Sequence, residues 1–321
     1  MAAAPNRCAL DIVDLTRLRA GDLDALLAEE QLTWRAALSW DFTVQAELVR
    51  RYLAIHSLTG YALVAGSQIV GYCYYVAEDR KGIIGDLYLL RHWAGSENED
   101  LLLSAVLNDL IATPGVKRIE GQLMLLHGPS ERTVPLGSYG SVFPRIFMKA
   151  ELADTQNLPA VAVQDALAFE SWKASMEEDS ARVIVAAYRE HIDSRINDQY
   201  RSLSGARRFL YNVVHYPGCG NFLWKPSLTG ADRRGRVGGL VLSSRVAAEV
   251  GHITQICVAP EWAGRGLGYE LMRRCLIALA SEGCDRASLT VTTANRNAIR
   301  LYENMGFRGV RRFAAYVWEG F

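Results

Sequence analysis

The sequence lacks an excess of charge of either sign. Its 321 residues include 35 lysines and arginines and 35 aspartates and glutamates, so the formal net charge is zero. A protein dedicated to nucleic acid needs a concentrated excess of basic side chains to contact the phosphates. The balance therefore argues against a nucleic-acid partner, although a local basic patch stays possible.

Long apolar runs are also missing. No run approaches the roughly 18 residues that cross a bilayer, and the N-terminal MAAAPNR is not followed by the apolar segment of a secretory signal. Half of the residues are hydrophobic and 22% are charged, which is typical of a soluble globular protein. We therefore expect a cytoplasmic protein with no membrane partner.

Cysteine pairs at metal-binding or redox spacing are absent. The six cysteines never form a C-x-x-C pair, and several lie in apolar runs, such as Cys73 and Cys257. A chain of this length does not depend on a disulfide framework. The sequence predicts reduced, core-filling thiols and no metal site.

The chain is long enough for two domains of ordinary size. Alternating helical and strand-like patterns occur twice, which predicts domains at 1–155 and 172–321 joined by a linker at 156–171. The predicted strands are 61–64, 69–76, 83–90, 118–126, 236–243, 252–258, 287–292 and 313–318, and the predicted helices are 22–30, 101–111, 177–197, 266–281 and 297–305.

The two halves share an internal pattern. IVGY (69–72) followed by GDLYL (85–89) corresponds to VGGL (237–240) followed by TQICV (254–258). In each half, a hairpin strand precedes a strand that enters a loop. The pattern predicts two copies of one α/β unit, of which only the second kept its ligand loop.

That loop lies within ICVAPEWAGRGLGYELM (256–272). An apolar strand ends at Pro260, three alternating glycines follow (Gly264, Gly266 and Gly268), and a helix begins. Glycines let successive backbone N–H groups point into one concavity, and the helix dipole adds positive potential there. The segment predicts a phosphate or pyrophosphate site, with a tight turn between strand and helix as the alternative.

Two common phosphate motifs do not fit these glycines. A Walker loop needs a lysine followed by serine or threonine after the last glycine, and neither is present. A dinucleotide fingerprint needs its third glycine where Tyr269 stands, and no acidic residue closes the βαβ unit. The glycine spacing alone therefore does not identify the ligand.

A second motif lies about thirty residues downstream. NRNAIRLYENMGF (295–307) follows a predicted strand and indicates a helix that stops at Gly306. Together, V-x-P-x-x-x-G-x-G-x-G and N-x-x-A-x-x-x-Y-x-x-x-G-F resemble the signature of the GNAT N-acetyltransferase superfamily. The resemblance covers about 235–318. The first half is similar to a degenerate unit of tandem-GNAT proteins.

The resemblance implies a fold and an activity. The fold is α/β (α+β), with two tandem GNAT-like domains, each a mixed, mostly antiparallel sheet flanked by helices. The activity is acetyl transfer from acetyl-CoA, as co-substrate, to a primary amine of a small molecule, peptide or protein by direct attack on the thioester. The oligomeric state and the identity of the acceptor are not predicted.

The resemblance also assigns residues to the co-substrate. Strand 256–258 is expected to diverge from strand 289–291 and admit the pantetheine arm. A backbone N–H near Cys257 or Val258 would bond the thioester carbonyl and stabilise the oxyanion. Asn295 is expected to contact CoA. The amides expected to hold the pyrophosphate are those of Gly264, Arg265, Gly266, Leu267 and Gly268.

Tyr302 resembles the general acid that protonates the departing thiolate. Many relatives carry an acidic base on the strand before the loop, whereas this strand has His252 and Gln255. An imidazole with an ordinary pKa near ~6.5 suits the removal of a proton from an amine, so His252 is the predicted base. Ala263 stands where the family has Arg or Gln, which removes one side-chain contact to phosphate.

These departures from the family pattern keep a second function open. It is a non-catalytic module that senses acyl-CoA or scaffolds a partner, although Tyr302 and Asn295 favour an enzyme. In the first half, the loop at 89–100 has one glycine, Gly95, followed by three acidic residues. Because their negative charge would repel pyrophosphate, we expect that domain not to bind CoA.

Overall fold

The computed structural model describes residues 9–128, 132–155, 157–161, 163 and 167–321, so the predicted linker at 156–171 lies partly outside the described residues. Contacts divide the chain into two compact units. Unit 1 comprises the described residues of Met1–Ala37, Asp41–Pro144 and Arg312–Phe321. Unit 2 comprises the described residues of Leu38–Trp40 and Arg145–Arg311.

The compact units do not follow the chain in two contiguous pieces. The segment 145–151 is part of unit 2, and the C-terminal segment 312–321 is part of unit 1. The compact units follow from which strands are hydrogen-bonded neighbours. The two halves of the repeat, by contrast, are defined by the order of residues along the chain. We keep 1–155 and 172–321 as a proposal for the two copies of the repeat.

The first half of the chain supplies most of unit 1. Its helix α2 and strand β6 were not expected from the sequence pattern. In chain order its elements are β1 (Leu10–Asp14), α1 (Asp24–Leu38), α2 (Thr43–Ala54), β2 (Gly60–Ala65), β3 (Gln68–Glu78), β4 (Lys81–Leu89), α3 (Ser96–Ala112), β5 (Arg118–Leu123) and β6 (Gly140–Glu151).

The second half supplies the rest of unit 2 and ends in unit 1. In chain order its elements are α4 (Leu152–Thr155), β7 (Ala168–Ser171), α5 (Glu177–Tyr188), α6 (Asp193–Ile196), α7 (Leu203–His215), β8 (Asn221–Phe222), β9 (Leu228–Ala231), β10 (Val237–Ala247), β11 (Val250–Val258), α8 (Leu267–Ser281), β12 (Arg286–Thr292), α9 (Arg296–Asn304) and β13 (Arg308–Glu319).

Each unit contains one mostly antiparallel sheet. In unit 1 the strand order is β1-β2-β3-β4-β5-β13, and in unit 2 it is β6-β12-β11-β10-β9-β7, with β8 beside β10. The parallel pairs described are β4 with β5 and β11 with β12. The predicted fold class, two tandem units with mixed, mostly antiparallel sheets flanked by helices, is confirmed.

The two parallel pairs are built alike. In unit 1 the β4–β5 ladder ends at Ile84↔Gly121, and β4 has a bulge at Gly85. In unit 2 the β11–β12 ladder ends at Ile253↔Leu289, and β11 has a bulge at Thr254. The predicted duplication of one α/β unit therefore extends to the irregularities of the backbone, which the sequence pattern alone did not reveal.

Close packing of a strand on a helix also repeats. A Cβ added to Gly82 would come within 2.6 Å of Leu110 on α3, and one added to Gly251 within 2.5 Å of Leu279 on α8. Both glycines therefore let the helix approach the sheet closely. Helix α5 also packs on β10 and β11, and apolar side chains of α5 and α8 belong to one buried core.

None of the helices in the described ranges is both long and apolar enough to cross a membrane.

Candidate active site

The glycine loop of unit 2 has the backbone that glycine permits. After β11 the chain makes a short turn at Pro260–Trp262, and Gly264 and Gly266 then adopt left-handed φ angles of 74° and 83°. Gly266 is the residue before α8, and Glu270 donates the first bond of the helix to the Gly266 carbonyl at 3.0 Å. The amides before Glu270 therefore point out of the helix end, where an anion can accept their hydrogen bonds.

Basic side chains line a cavity of about 630 Å³ beside this loop. The Arg265 guanidinium lies 5.6 Å from the ring centroid of Trp262, which holds it over the aromatic face. Arg236 forms an ion pair with Asp232 at 2.8 Å. The lining residues are Asp232, Arg233, Arg234, Arg236, Glu261, Trp262 and Arg265. Positive charges outnumber negative ones here, which favours an anionic ligand.

A gap opens between two strands next to the loop. The parallel ladder runs from Val250↔Arg286 to Ile253↔Leu289, whereas β11 continues to Val258 and β12 to Thr292. The divergence therefore includes 256–258 and 290–291 of the predicted segments, whereas Leu289 still pairs with Ile253.

The direction of the β11 amides follows from one hydrogen bond. The Ala259 N–H donates to the Gly238 carbonyl at 2.9 Å, on the β10 side. Because amides of successive residues in a strand point to opposite edges, the Val258 N–H points away from β10 and into the gap, whereas the Cys257 N–H points toward β10. Of the two amides predicted for the thioester carbonyl, that of Val258 is the better oriented.

Cys257 lines the site as a neutral thiol. Its side chain is buried, and burial raises its pKa well above the ordinary value. A thiol that is not ionised is a poor nucleophile. The arrangement is that of an apolar wall rather than of a covalent catalyst.

Tyr302 is buried on α9 at the same site. Burial raises its pKa, the Asp193 carboxylate raises it further, and the Arg145 guanidinium opposes them. Tyr302 and Cys257 belong to the same buried core of unit 2. The Tyr302 hydroxyl therefore keeps its proton at neutral pH and can donate it.

Asn295 begins α9 as a helix cap. Its Oδ1 accepts from the Ala298 amide at 3.2 Å, and its Nδ2 lies 3.2 Å from the His191 imidazole. Asn295 thus links the helix that carries Tyr302 to the turn after α5.

The helix predicted at 177–197 is wrong in its second half. Helix α5 ends at Tyr188, the chain turns, and the short helix α6 begins at Asp193. The turn brings Asp193 to the end of β12, where the Thr292 hydroxyl donates to its carboxylate at 2.5 Å. His191 and Asp193 were not among the predicted site residues, because no glycine or proline in the turn signals the break.

Arg145 brings a positive charge to the same site. It lies on β6, directly opposite Thr292 in the antiparallel ladder with β12, and its Nη2 donates to Thr290 at 3.2 Å. Burial raises the pKa of Tyr302 and of Tyr200, and the positive charge of Arg145 opposes part of that rise. The site of unit 2 thus includes a cation from a strand that the sequence places in the first half.

His252 lies deeper in unit 2, in a largely aromatic environment. Its ring centroid is 4.8 Å from that of Trp40 and 6.2 Å from that of Phe147, and its Nδ1 is 2.9 Å from the Ser288 hydroxyl. Burial, aided by Arg145, lowers its pKa to about 3. The imidazole is therefore neutral at physiological pH.

This buried imidazole should make the protein acid-sensitive. Between the ordinary pKa of 6.5 and the folded value of about 3, the unfolded chain binds a proton here that the folded chain does not. The free energy of unfolding should therefore fall by up to about 1.4 kcal/mol per pH unit as the pH drops through this window. Urea unfolding at several pH values should give a shallower slope for His252→Gln. The exposed His215→Gln is the control, and equal slopes for all three proteins would contradict the prediction.

The corresponding loop of unit 1 contains carboxylates instead of glycines. Gly95 has an extended φ of 163°, and Glu97 and Glu99 occupy the first turn of α3. The buried Glu99 carboxylate pairs with Arg132, which also bonds Asp100. The chain's own charges therefore occupy the end of α3 that corresponds to the glycine loop of unit 2.

The Arg132–Glu99 pair should be needed for the stability of unit 1. Both side chains are about 95% buried, so replacing Arg132 by methionine would leave the buried Glu99 carboxylate with His127 as its remaining contact and without its arginine partner. We expect Arg132→Met to lower the free energy of unfolding by about 3–5 kcal/mol. Arg182→Met, which removes an exposed pair with Glu178 on α5, should change it by only about 0.5 kcal/mol. Similar losses in the two variants, measured by denaturant unfolding, would overturn this expectation.

No group of three or more His, Cys, Asp or Glu side chains in the described part of the chain is arranged to hold a metal ion.

Comparison with known proteins places this site in a family. The Acetyltransferase (GNAT) family matches residues 186–307, which include the glycine loop, Asp193 and Tyr302. The match lies within unit 2 and runs from the last residues of α5 to the residues just after α9.

Two relatives are similar to this chain over different lengths. A mycothiol acetyltransferase from Thermobispora bispora is 26% identical over 295 residues, which cover 89% of this chain and 92% of that protein. N-alpha-acetyltransferase MAK3 from Arabidopsis thaliana is 31% identical over 70 residues, or 22% of this chain. The chain spans 37% of the length of MAK3.

Two solved structures share the fold along the whole chain. A GCN5-related N-acetyltransferase from Sphaerobacter thermophilus aligns with a TM-score of 0.60 at 14% identity, covering 99% of this chain and 97% of that one. A tandem GNAT protein from the clavulanic acid biosynthesis pathway aligns with a TM-score of 0.58 at 14% identity, covering 97% and 98%. Residues 186–307 of unit 2 therefore match the Acetyltransferase (GNAT) family, and the chain as a whole shares the fold of tandem GNAT proteins.

Proposed function

We propose that the protein is an acetyl-CoA-dependent N-acetyltransferase that transfers an acetyl group to a primary amine by direct attack on the thioester. The observation that carries the proposal is the left-handed glycine loop at the start of α8, which opens beside the gap between β11 and β12. An anion site and a slot for an extended chain are the two features that CoA requires.

The co-substrate would be held mainly by backbone groups. The amides of 264–268 would bind the pyrophosphate, and the pantetheine arm would lie between β11 and β12. The Val258 N–H would donate to the thioester carbonyl and stabilise the negative charge that develops there. Asn295 would support the co-substrate from the start of α9, which it caps.

The proton transfers would involve two side chains. As the amine nitrogen bonds to the carbonyl carbon, the carbon–sulfur bond breaks and Tyr302 donates its proton to the leaving sulfur. The proton of the attacking amine needs an acceptor. His252 is neutral but enclosed by aromatic rings, whereas the Asp193 carboxylate lies at the end of β12, where Thr292 donates to it, with 17% of its side chain exposed. We therefore propose Asp193, assisted by His191, as the proton acceptor in preference to His252.

Replacing the two candidate bases should distinguish them. We expect Asp193→Asn to lower kcat by about 100-fold, as is typical for loss of a general base, and His252→Gln to lower it by less than about 5-fold. Release of the CoA thiol in steady-state assays measures both. Asp179→Asn, an exposed change on α5, is the control for Asp193. The reverse order of effects would return the role to His252.

The names of two relatives support the proposed class of acceptor. The N-alpha-acetyltransferase similarity covers part of unit 2, and the similarity to a mycothiol acetyltransferase covers both units. We propose a primary amine of a small molecule, peptide or protein as acceptor.

Calorimetric titration with acetyl-CoA, combined with a thiol-release assay, tests the proposal. We expect one site per chain, since carboxylates occupy the corresponding loop of unit 1. Two sites would mean that unit 1 also binds CoA. Binding without release of CoA in the presence of amines would favour a non-catalytic sensor or scaffold, and no binding at millimolar ligand would overturn the acyltransferase assignment.

A further inference from the structure

The side-chain amide of Gln255 includes a buried nitrogen that has no hydrogen-bond partner among the described residues. Gln255 lies on β11 and is 5% exposed. Its Oε1 accepts a hydrogen bond from the Tyr188 hydroxyl at 3.2 Å, whereas its Nε2 has no partner among the described residues. A buried N–H without an acceptor costs about 1–3 kcal/mol, so such a group calls for an explanation in terms of a ligand.

The orientation of the Gln255 amide follows from its neighbour. Burial raises the pKa of Tyr188 well above its ordinary value, so this hydroxyl keeps its proton and needs an acceptor. If the amide were rotated by half a turn, both the Tyr188 proton and the Gln255 oxygen would lack partners. The observed orientation leaves only the NH₂ group unsatisfied, and it therefore presents a hydrogen-bond donor.

The NH₂ group of Gln255 belongs to the side of the site where the amine substrate would bind. Gln255 precedes Val258 by three residues, or roughly 10 Å along a strand at about 3.3 Å per residue. The thioester carbonyl held by the Val258 amide would be out of its reach. Gln255 instead contacts Tyr188, whose ring stacks on Tyr200 at 4.4 Å and lies 5.2 Å from that of His191. Gln255 thus lies in the aromatic cluster of Tyr188, Tyr200 and His191, and His191 is two residues from Asp193, the proposed proton acceptor.

On the basis of the proposed function, we infer that Gln255 determines acceptor specificity by donating a hydrogen bond to a carbonyl oxygen next to the carbon that bears the amine. The acceptor class is then an α-amino amide rather than a simple alkylamine.

The oxygen type follows from what surrounds the donor. A substrate hydroxyl could accept a hydrogen bond from Nε2, but its own proton would then need an acceptor. The Gln255 oxygen does not serve, because it already accepts from the Tyr188 hydroxyl. A carboxylate would be a buried charge with a neutral donor, which is unfavourable. An amide carbonyl accepts and brings no proton on the same atom, so it matches a lone NH₂ group.

The test compares two acceptors that differ in one group. Alaninamide carries the carbonyl, and 3-methylbutan-2-amine replaces the carboxamide by an isopropyl group of similar shape. We expect Gln255→Met, which keeps the length of the side chain and removes the amide, to lower kcat/KM for alaninamide by about 10-fold, in line with a hydrogen bond to a buried donor. For the alkylamine kcat/KM should not fall. Each ratio is taken against the wild-type protein with the same amine, so the different basicity of the amines cancels.

A second variant and a stability measurement exclude a purely structural role. Tyr188→Phe removes the bond that orients the amide, so it should lower kcat/KM for alaninamide selectively. The melting temperature of Gln255→Met should be equal to or above that of the wild type, because the variant removes an unsatisfied buried group. Equal losses with both amines, or a loss that follows a lower melting temperature, would overturn the inference.

The outcomes also separate this inference from the proposed function. Release of CoA with the alkylamine but not with alaninamide would overturn the inference and leave the acetyltransferase intact. Release with neither amine would overturn the inference. In that case the calorimetric titration with acetyl-CoA still decides, separately, whether the co-substrate is bound.

Discussion

Replacing Gly266 by valine should raise the Kd for acetyl-CoA by at least about 100-fold, which corresponds to roughly 2.7 kcal/mol. Gly266 has a φ of 83°, and an added Cβ would lie 3.2 Å from a methyl group of Val161. A β-branched residue at such a φ is strained by about 1–3 kcal/mol. The backbone would relax by rotating the amides at the start of α8 away from the pyrophosphate. Calorimetric titration of the variant measures the loss.

The opposite end of α8 offers a matched control. Gly283 has the same φ of 83°, and no heavy atom lies within 4 Å of an added Cβ. Gly283→Val should therefore strain the backbone to a similar degree, and thermal unfolding should report similar destabilisation. Its Kd for acetyl-CoA should stay unchanged. A Gly266→Val variant that binds as well as Gly283→Val would mean that the glycine loop does not hold the co-substrate.

The glycine loop and α9 could be predicted because their signals are local. Alternating glycines after an apolar strand determine a left-handed turn and a helix start within a few residues. The period of apolar residues in 295–307 likewise determines which side of α9 carries Tyr302. Both features are determined by neighbouring residues in the sequence and depend little on contacts with distant segments.

The other parts of the site arise from contacts between distant segments. Arg145 reaches the site because β6 pairs with β12, and nothing in the sequence near residue 145 indicates that partner. Asp193 reaches it because α5 ends at Tyr188, although 177–197 has the composition of one continuous helix. Tertiary packing overrides local propensity in both cases.

The role predicted for His252 depends on a quantity that the sequence does not contain. The ordinary imidazole pKa suggested a base, but that pKa changes with burial, and burial depends on Trp40 and Phe147 from other parts of the chain. Conversely, the sequence distinguishes Gln255 only by its place on the strand where many relatives carry an acidic base. Its importance comes from a single unsatisfied NH₂ group, which only side-chain contacts reveal.

Tyr302→Phe should lower kcat by about 100-fold, with the Kd for acetyl-CoA unchanged. General-acid catalysis typically contributes about 10²–10⁴-fold, and phenylalanine keeps the ring that packs near Phe307. Because burial and Asp193 raise the pKa of the hydroxyl, it stays protonated well above neutral pH. The loss should therefore be the same at pH 6 and at pH 9, as steady-state assays at both values would measure.

A second buried tyrosine separates catalysis from packing. Tyr316 is fully buried in unit 1, and burial raises its pKa to about 12. Tyr316→Phe therefore removes a similarly enclosed hydroxyl far from the glycine loop in sequence, and it should leave kcat unchanged.

If Tyr302→Phe also keeps full turnover, the thiolate must leave without this proton. If acetyl-CoA binds but neither the wild type nor the variant releases CoA, the chain is a sensor that retains the shape of the enzyme. A loss of kcat in Tyr302→Phe alone would assign the leaving-group proton to this hydroxyl, because acetyl-CoA binding and the fold would be common to all three proteins.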